Sequence, residues 1–281
     1  MGVLPPDLAA QVARSLAEDV GSGDVTAALV APGTRAVATL LTREAAVLCG
    51  TPWVDETFRQ LDPAVRITWR VGEGDTVAAN TVLCDITGPA RAILTGERTA
   101  LNFLQTLSGT ATATRRYVDA VAGTGCQILD TRKTLPGLRL AQKYAVRCAG
   151  GRNHRIGLYD MVLVKENHIV AAGGIAAALA QARAQAPGIP VEIEVETLAE
   201  FRDALAARPD VILLDEFDDA AQRDAVALNR AAGSPVKIEA SGGVDLDTVR
   251  RIASTGVDYI SVGSLTKHLH ATDLSLRFTL S

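Results

Sequence analysis

The sequence is poor in aromatic residues and has no long apolar run, and these shortages exclude several classes of protein. Phenylalanine, tyrosine and tryptophan make up 4% of its 281 residues, although 48% of them are hydrophobic. No apolar stretch reaches the roughly 18–20 residues that a membrane-spanning helix requires. The N-terminal segment has neither the basic region nor the apolar core of a signal peptide. We therefore expect a cytoplasmic α/β enzyme.

Cysteine and net positive charge are also scarce. The four cysteines, Cys49, Cys84, Cys126 and Cys148, form no CxxC pair, and no histidine stands at metal-ligand spacing from them. We expect buried free thiols rather than disulfides or a zinc site. The formal net charge is -4 at pH 7, with no basic tail. This balance argues against nucleic acid as the main partner.

Positive charge is nevertheless concentrated in residues 130–168. The eight basic residues of this segment are Arg132, Lys133, Arg139, Lys143, Arg147, Arg152, Arg155 and Lys165. Only three acidic residues accompany them: Asp130, Asp160 and Glu166. A local source of positive field in an acidic chain is typical of a site that binds an anion. We therefore expect the function to lie in this segment.

The first hundred or so residues alternate between short helical and strand patterns. The patterns predict helices at 5–19 and 52–61, β-structure at 34–49, strands at Arg66–Val71 and Val82–Thr87 with a tight turn at 73–77, and a helix at 91–122 broken at Ser108 and Gly109. We expect an N-terminal α+β sandwich domain over residues 1–110, with which residues 270–281 pack.

The remaining chain repeats a pattern of apolar strand followed by amphipathic helix. The predicted strands are Gln127–Thr131, Met161–Lys165, Val191–Val195, Val211–Asp215, Lys237–Ala240 and Tyr259–Val262. The predicted helices lie near 138–149, 173–186, 197–207, 218–232 and 245–255. Six such units favour a closed or nearly closed parallel α/β barrel over residues 111–269. No GxGxxG follows the first strand, which disfavours an open dinucleotide-binding sheet.

In such a barrel the reacting groups lie at the C-terminal ends of the strands. Nearly every predicted strand ends in an ionisable group or a glycine turn, so we expect an active site at this rim. Ser241-Gly242-Gly243 and Gly263-Ser264 follow the last two strands, where glycine lets backbone N–H groups approach a phosphate. Ordinary βα loops that need positive φ are the alternative for either turn alone; together the two turns favour a phosphate site.

Two sets of charges complete the predicted rim. Glu194 and Asp215 form a candidate carboxylate pair that could hold Mg²⁺ or stabilise a developing cation. Simple ion pairing with rim lysines is the alternative for these two acids. The basic set is Arg98, Arg132, Lys133, Arg155 and Lys165, with His154 beside it, and arginines of this kind can grip carboxylates through two hydrogen bonds.

Eight blocks of the sequence resemble quinolinate phosphoribosyltransferases, in the same order and spacing. They are ERTALNFLQTLSGTATAT (97–114), DTRKTLPGLRLAQKYAV (130–146), GGRNHRIGLYD (150–160), VKENHI (164–169), EIEVET (192–197), VILLDEF (211–217), IEASGGV (238–244) and YISVGSLTKH (259–268). The resemblance implies an N-terminal α/β sandwich and an irregular α/β barrel with fewer than eight strands. It also implies a homodimer with a shared active site.

The resemblance assigns roles to individual residues. It implies that Arg98 is donated across the dimer interface, and that Arg132, His154, Arg155 and Lys165 bind quinolinate. Lys133, Glu194 and Asp215 match groups near the phosphoribosyl substrate. Ser241, Gly242, Gly243, Gly263 and Ser264 match the turns that hold its 5′-phosphate. One departure is Glu216, which stands where a neutral, asparagine-like residue is expected in many relatives.

The implied reaction joins quinolinate to phosphoribosyl pyrophosphate and gives nicotinate mononucleotide, CO₂ and pyrophosphate. We expect Mg²⁺ and no organic cofactor. One alternative is a paralogue of the same fold with another acceptor, such as the relatives encoded with molybdate transporters. The intact Thr131–Thr134 and Lys165–His168 motifs speak against it. A second alternative is a non-catalytic phosphate-binding module, which the complete set of rim acids and bases disfavours.

Overall fold

The computed structural model describes residues 3–280, and these residues form two compact units. The first unit holds the residues up to Arg115, residues 134–150 and the residues from Leu265 onward. The second holds residues 116–133 and 151–264. The boundary expected at residues 110 and 111 divides the linear chain, and it stays a prediction beside these two units.

The first unit contains an antiparallel sheet and most of the long helices. Its elements are α1 (Leu8–Val20), β1 (Arg35–Thr42), β2 (Ala46–Val47), α2 (Thr51–Leu61), β3 (Arg66–Trp69), β4 (Thr76–Val77), β5 (Val82–Pro89), α3 (Ala90–Ala120, assigned here through Arg115), α4 (Arg139–Cys148) and β12 (Leu274–Leu280). The sheet has the strand order β12-β1-β5-β3. Residues of β1 are alternately buried and exposed over its first half, because successive side chains of a strand face opposite sides.

Two predictions for this unit were wrong. The turn at 73–77 is not a tight hairpin, because Thr76–Val77 form β4 and pair with β2, while β3 pairs with β5. Helix α3 runs unbroken through Ser108 and Gly109. The Ser108 hydroxyl hydrogen-bonds the backbone of Cys49, and a Cβ at Gly109 would collide with the backbone oxygen of His270. These two residues therefore serve packing contacts inside the unit rather than a helix break.

The second unit is a six-stranded parallel sheet with connecting helices. Its elements are β6 (Gln127–Leu129), β7 (Val162–Val164), α5 (Glu166–Ala172), α6 (Ile175–Gln185), β8 (Val191–Val195), α7 (Leu198–Ala207), β9 (Val211–Asp215), α8 (Asp219–Ala231), β10 (Lys237–Ser241), α9 (Val249–Ala253) and β11 (Tyr259–Ser261); the short α10 (Ser264–Lys267) begins at the unit's last residue. The strand order is β6-β11-β10-β9-β8-β7. This confirms the predicted α/β class and the six parallel strands; helix α5 was not predicted.

The sheet order follows the chain around a barrel that is open between β6 and β7. In place of a direct β6–β7 pairing, one parallel bridge joins Leu129 to Arg152. The Arg152 N–H donates to the Ile128 carbonyl at 2.8 Å, and the Asp130 N–H donates to the Arg152 carbonyl at 3.1 Å. The segment after Gly151 therefore lies against the edge of β6 and carries its next residues to the C-terminal ends of the strands.

No helix in residues 3–280 combines the length and apolar character needed to cross a bilayer. Of the four cysteines, Cys49, Cys84 and Cys126 are buried free thiols, as predicted, whereas Cys148 is only half-buried.

Candidate active site

The C-terminal ends of the parallel strands surround a cavity of about 350 Å³ in the second unit. The cavity is lined by Thr131, Arg132, Lys133, His154, Arg155, Leu163, Lys165, Glu194, Leu213, Glu239, Ser241 and Ser261. Ten of these twelve side chains are polar or charged, which suits a small, highly charged ligand better than an apolar one.

Strand alternation explains which residues reach the cavity. Glu194 pairs in register with Leu213, and Leu213 pairs with Glu239, so these three side chains face the same side of the sheet. Leu163 and Lys165 are two residues apart, as are Glu239 and Ser241. The strands therefore present every second residue to the interior, and their final turns supply the rest.

Arg132 and Arg155 form the basic wall of the cavity. The Arg132 Nε atom is buried and has no hydrogen-bond partner within residues 3–280. Burial and the neighbouring Arg132 charge lower the pKa of Arg155, while Glu192 and Asp160 act in the opposite direction. Two guanidinium groups held this close, one with an unsatisfied buried N–H, make a strong anion site.

Asp130 holds the segment that carries Arg155. Its carboxylate is fully buried, and it accepts hydrogen bonds from the Asn153 side-chain amide at 2.6 Å and from the His154 N–H at 2.9 Å. The next N–H along the chain, that of Arg155, donates to His154 Nδ1 at 2.8 Å. Residues 153–155 are therefore held by three partly buried hydrogen bonds.

The opposite side of the site is acidic. The Lys165 ammonium donates to the Glu194 carboxylate, and the Lys165 side chain is 48% exposed. Burial raises the pKa of Asp215, and the nearby charges of Glu194 and Glu216 raise it further, against smaller opposing effects of Lys165 and Lys133. Simple pairing with a rim lysine, the alternative weighed from the sequence, thus describes Glu194 in this structure but leaves Asp215 undercompensated.

Two glycine turns lie beside these charges. Gly242 and Gly243 both have positive φ, at 101° and 54°. A Cβ at Gly242 would lie 2.5 Å from the Glu216 carboxyl carbon, so the Glu216 side chain covers this turn. Glu216 itself has a φ of 54°, which is uncommon for a residue with a side chain.

The second turn lies beside Lys133. A Cβ at Gly263 would be 3.1 Å from Lys133 Cδ and 3.8 Å from its Nζ. The hydroxyl of Ser264 lies 3.4 Å from that of Tyr117. A cation and a glycine turn are therefore adjacent, as a phosphate site requires.

The structure brings most of the predicted site residues to one cavity. Its lining includes seven of them: Arg132, Lys133, His154, Arg155, Lys165, Glu194 and Ser241. Asp215, Gly242 and Gly263 border these residues through the contacts described above. Arg98 is an exposed residue of α3 in the first unit.

The sequence analysis gave no role to two buried acids, Glu192 and Glu239, although Glu239 lies near the predicted end of its strand. Their side chains are 0% and 2% exposed, and the His154 Nε2 lies 2.7 Å and 3.8 Å from their respective carboxylates. The available signal was the alternation in EIEVE, where residues 192 and 194 share a face.

Family models match nearly the whole chain. The model for the quinolinate phosphoribosyl transferase N-terminal domain matches residues 24–108. The model for the C-terminal domain of the same family matches residues 110–277.

Curated proteins and solved structures agree with these matches. The chain is 43% identical to a probable nicotinate-nucleotide pyrophosphorylase (carboxylating) from Synechocystis sp., over 93% of this chain and 89% of that protein. It is 42% identical to the Mycobacterium leprae nicotinate-nucleotide pyrophosphorylase (carboxylating), over 94% and 95% of the two chains. The structure of a nicotinate-nucleotide pyrophosphorylase from Francisella tularensis superimposes with a TM-score of 0.94 at 46% identity, covering 99% of this chain and 98% of the other.

Proposed function

The chain belongs to the quinolinate phosphoribosyl transferase family, and we propose from that membership and the cavity geometry how its residues act. It is a pentosyltransferase of NAD biosynthesis that transfers a phosphoribosyl group to quinolinate with loss of CO₂. The observation that carries the residue assignment is the single cavity in which Arg132, Arg155 and Lys165 meet Glu194 and Ser241.

The basic wall binds the two carboxylates of quinolinate. A pyridine dicarboxylate needs several cations in one place, and the buried, unsatisfied Nε of Arg132 supports a direct hydrogen bond to a carboxylate. Arg155 supplies the second guanidinium, and Lys165 supplies an ammonium at the rim. His154 stays in the predicted binding set, although its two ring nitrogens face protein groups.

The acidic side serves the ribosyl substrate. Departure of pyrophosphate from C1 leaves a cation-like sugar, which the carboxylates of Glu194 and Asp215 stabilise. Burial and, after it, the charges of Glu194 and Glu216 raise the pKa of Asp215, and a positive charge developing on the sugar would offset both effects. Lys165 would leave Glu194 when the substrates bind.

The same two carboxylates fit a Mg²⁺ ion. Oxygen ligands from one or two carboxylates, completed by substrate phosphates and water, are what Mg²⁺ prefers. Glu194 and Asp215 would supply the oxygen ligands, and a cation there would offset the effect of the neighbouring negative charges on Asp215. A bound Mg²⁺ would supply charge neutralisation to the diphosphate of the substrate.

The two glycine turns hold the 5′-phosphate. Ser241, Gly242 and Gly243 offer one turn, and Gly263 and Ser264 offer the other, with Lys133 lying against Gly263. Backbone N–H groups freed of side chains can approach phosphate oxygens closely, and Lys133 adds a cation beside them.

The decarboxylation follows from the first bond formed. Attack by the pyridine nitrogen on C1 of the ribose makes that nitrogen positive. The electron pair that the departing CO₂ leaves on C2 is stabilised by the adjacent positive nitrogen. Protonation of C2 then gives nicotinate mononucleotide. The protein's part is to hold the ring, exclude competing orientations and stabilise the changing charges.

Two further features belong to this proposal. A homodimer in which Arg98 enters the partner's site would add a third arginine to the dicarboxylate grip. Action in the cytoplasm fits the bacterial relatives, whereas the plant relatives are described as chloroplastic or mitochondrial.

The first test is an incubation of the protein with quinolinate, phosphoribosyl pyrophosphate and Mg²⁺, with nicotinate replacing quinolinate in a parallel reaction. Equal amounts of nicotinate mononucleotide and CO₂ from quinolinate alone are expected. No product would favour the paralogue with another acceptor, and product only from nicotinate would contradict the assigned two-carboxylate grip.

A further inference from the structure

Two cysteines that are distant in the sequence meet in the first unit, at the C-terminal end of α4. Cys49 lies just before α2 and is fully buried, whereas Cys148 is the last residue of α4 and is half-buried. Their sulfur atoms lie within 4.8 Å of each other, and a carboxylate oxygen of Glu73 lies within the same distance of both. None of these three residues is assigned to a substrate above.

The backbone holds both cysteines in place, so only their side chains need to move for the sulfurs to meet. The Ser108 hydroxyl accepts from the Cys49 N–H at 3.0 Å and donates to the Cys49 carbonyl at 3.1 Å. The Cys148 sulfur packs against Gly74, where a Cβ would lie 3.4 Å from it. A disulfide joins two sulfurs at about 2 Å, so the pair must approach by less than about 3 Å. Rotation about the Cα–Cβ bonds supplies a movement of that size.

The two thiols differ in the way that a stepwise oxidation requires. Burial is the main cause that raises the pKa of Cys49 well above its usual range. Hydrogen bonding with Cys49 is the main cause that lowers the pKa of Cys148, and the charge of Arg115 acts in the same direction. The Arg115 side chain is held there by a 3.0 Å hydrogen bond to the Ala149 carbonyl. Cys148 is therefore the better nucleophile, since it is both more accessible and closer to ionisation.

The other two cysteines show how an ordinary buried thiol behaves in this chain. Cys84 and Cys126 are 0% and 7% exposed. Burial is the main cause that raises the pKa of each to about 12. Thiols of this kind pack as small apolar side chains and react slowly. The pair of Cys49 and Cys148 differs from them, because a second sulfur is within reach and one of the two thiols is accessible to a small oxidant.

A thiophilic metal ion is the competing occupant, since two thiolates and a carboxylate are possible ligands. The hydrogen bonds of Glu73 oppose it. One oxygen accepts from the Gly50 N–H at 2.7 Å, and the other accepts from the Thr51 N–H at 3.0 Å and the Thr51 hydroxyl at 2.7 Å. These bonds satisfy N–H groups at the start of α2, with which a metal would compete. Two thiols alone leave such a metal short of its usual four ligands, but they are all that a disulfide needs.

We propose that Cys148 and Cys49 form a modification site, at which a hydroperoxide converts the two thiols into a reversible disulfide. The proposal uses none of the residues assigned to the substrates, so it stands independently of the proposed function.

The oxidation takes two steps, and the hydroperoxide is the oxidant. The Cys148 thiolate first attacks one peroxide oxygen, so that an S–O bond forms and the O–O bond breaks. The alkoxide, or hydroxide from hydrogen peroxide, leaves and takes up the proton that Cys148 gave up, and Cys148 is then a sulfenic acid. The Cys49 sulfur next attacks the Cys148 sulfur, so that the S–S bond forms and the hydroxyl leaves as water with the Cys49 proton. The two thiols lose two electrons, which the hydroperoxide gains.

The direct test treats the reduced wild-type protein with hydrogen peroxide at neutral pH, blocks the remaining thiols with iodoacetamide and identifies linked peptides by mass spectrometry. Of the four cysteines, two are expected to stay free, Cys84 and Cys126, while Cys49 and Cys148 become linked. Dithiothreitol should restore all four thiols. Four free thiols after treatment, a disulfide that includes Cys84 or Cys126, or a Cys148 sulfinic acid without a disulfide would overturn the proposal.

Single substitutions test the order of the two steps. In Cys49→Ser the reaction is expected to stop at the Cys148 sulfenic acid, which dimedone labels. In Cys148→Ser the oxidation of Cys49 should be at least about 100-fold slower than the loss of thiols in wild type, because a buried thiol with a raised pKa is rarely ionised. Equal rates in that variant and wild type would contradict the role of Cys148. Cys84→Ser, at a buried cysteine outside the pair, is the matched control and should form the disulfide at the wild-type rate.

The melting temperature tests whether the native fold accommodates the bond. The disulfide would close a loop of about 100 residues, so oxidation is expected to raise the melting temperature by about 5 °C or more. The same treatment of Cys49→Ser should give no rise. A lower melting temperature for the oxidised wild type would count against the proposal, because the bond would then form only by distorting the fold. If a serine variant fails to fold, Cys49→Ala and Cys148→Ala give the same comparison without a buried hydroxyl.

Elemental analysis of protein purified without chelators decides between the two occupants. We expect less than about 0.1 equivalent of zinc or copper per chain, as for a thiol pair that lacks the remaining ligands. One equivalent of either metal in wild type that is lost in Cys148→Ser would replace the disulfide with a metal site and refute the proposal.

Discussion

The two sides of the cavity treat charge in opposite ways. On the basic side, Arg132 and Arg155 are partly buried, and the Arg155 segment is held by Asp130 through hydrogen bonds of 2.6 and 2.9 Å. On the acidic side, burial and then the charges of Glu194 and Glu216 raise the pKa of Asp215, and the Lys165 that pairs with Glu194 is half-exposed.

The difference indicates that one side is preorganised and the other is not. The hydrogen bonds that Asn153 and His154 donate to the buried Asp130 carboxylate hold this part of the basic wall before any substrate arrives, so little ordering cost remains for binding. On the acidic side, Lys165 and Lys133 offset only part of the burial and repulsion that act on Asp215, so an added cation, a metal or the reacting sugar, would relieve the rest. Strain of this kind at a functional site lowers stability in exchange for activity.

Arg132→Ala should break the basic side most severely. Removing a partly buried guanidinium is expected to reduce kcat/KM for quinolinate about 100- to 1,000-fold, because its hydrogen bonds to the carboxylate are charge-assisted. Steady-state kinetics with both substrates measure it. Arg202→Ala on the exposed face of α7 is the control. Full activity in Arg132→Ala, with the fold intact by circular dichroism, would refute the assigned grip.

Asp215→Asn should separate activity from stability on the acidic side. We expect kcat to fall about 100-fold, because the amide cannot stabilise a developing cation. The melting temperature should rise by about 1–3 °C, because the substitution removes a carboxylate that is partly buried beside the charges of Glu194 and Glu216. A lower melting temperature would show that Asp215 makes a stabilising contact instead.

The pH dependence of the free energy of unfolding tests whether the Asp215 carboxylate destabilises the fold. Its pKa is raised in the folded protein, mainly by burial and then by Glu194 and Glu216, so folding favours the protonated form. This contribution stabilises the fold below the unfolded pKa and is lost as the pH rises through the folded pKa. The stability advantage of Asp215→Asn should therefore appear above that range and vanish at lower pH; an advantage that grows on acidification would contradict it.

Lys165→Ala should have a smaller effect than Arg132→Ala, because the side chain is half-exposed and contributes a point charge. A fall of about 10-fold in kcat/KM for quinolinate is expected. Lys165→Arg, which keeps the charge, should recover part of the loss. An effect equal to that of Arg132→Ala would remove the contrast between the buried and exposed cations.

Glu216→Asn tests a difference between the two glycine turns, and its expected effect is the smallest. The Glu216 side chain covers the turn at Gly242, whereas Lys133 lies beside the turn at Gly263. The Glu216 carboxylate lies against Gly242, where the proposed phosphate would compete with it. A neutral side chain should lower KM for phosphoribosyl pyrophosphate about two- to fivefold, by removing one repulsive charge near the surface. An increase in KM would mean that Glu216 helps to bind the substrate, for example through a metal.

Much of the fold was accessible from the sequence because strand periodicity is local information. The strands Val191–Val195 and Val211–Asp215 were predicted with their observed bounds. The remaining errors came from contacts between distant segments. Ser108 and Gly109 resemble a helix break, but the bonds of Ser108 to Cys49 and the close approach of His270 to Gly109 keep them in α3.

The residues of the site also divide into those that local sequence patterns predict and those that depend on contacts between distant segments. Residues at strand ends, such as Arg132, Lys165 and Glu194, could be predicted because parallel strands deliver their C-terminal ends to one rim. The contact of Glu192 and Glu239 with His154 could not be predicted, because a carboxylate inside a strand pattern normally marks the solvated face. Only closure of the sheet toward a barrel places both of them around the ring of His154.

The sequence by itself determined which kind of functional residue each parallel strand carries at its C-terminal end. Basic residues follow the first two strands, acids follow the next two, and glycine turns follow the last two. Tertiary structure alone decided the pKa shifts and the pairings, such as the pKa of Glu239 that burial raises, the Lys165–Glu194 ion pair and the Glu216 carboxylate over Gly242. The physical reason is that pKa values and ion pairs depend on burial and on distances of a few ångströms, which residue order does not contain.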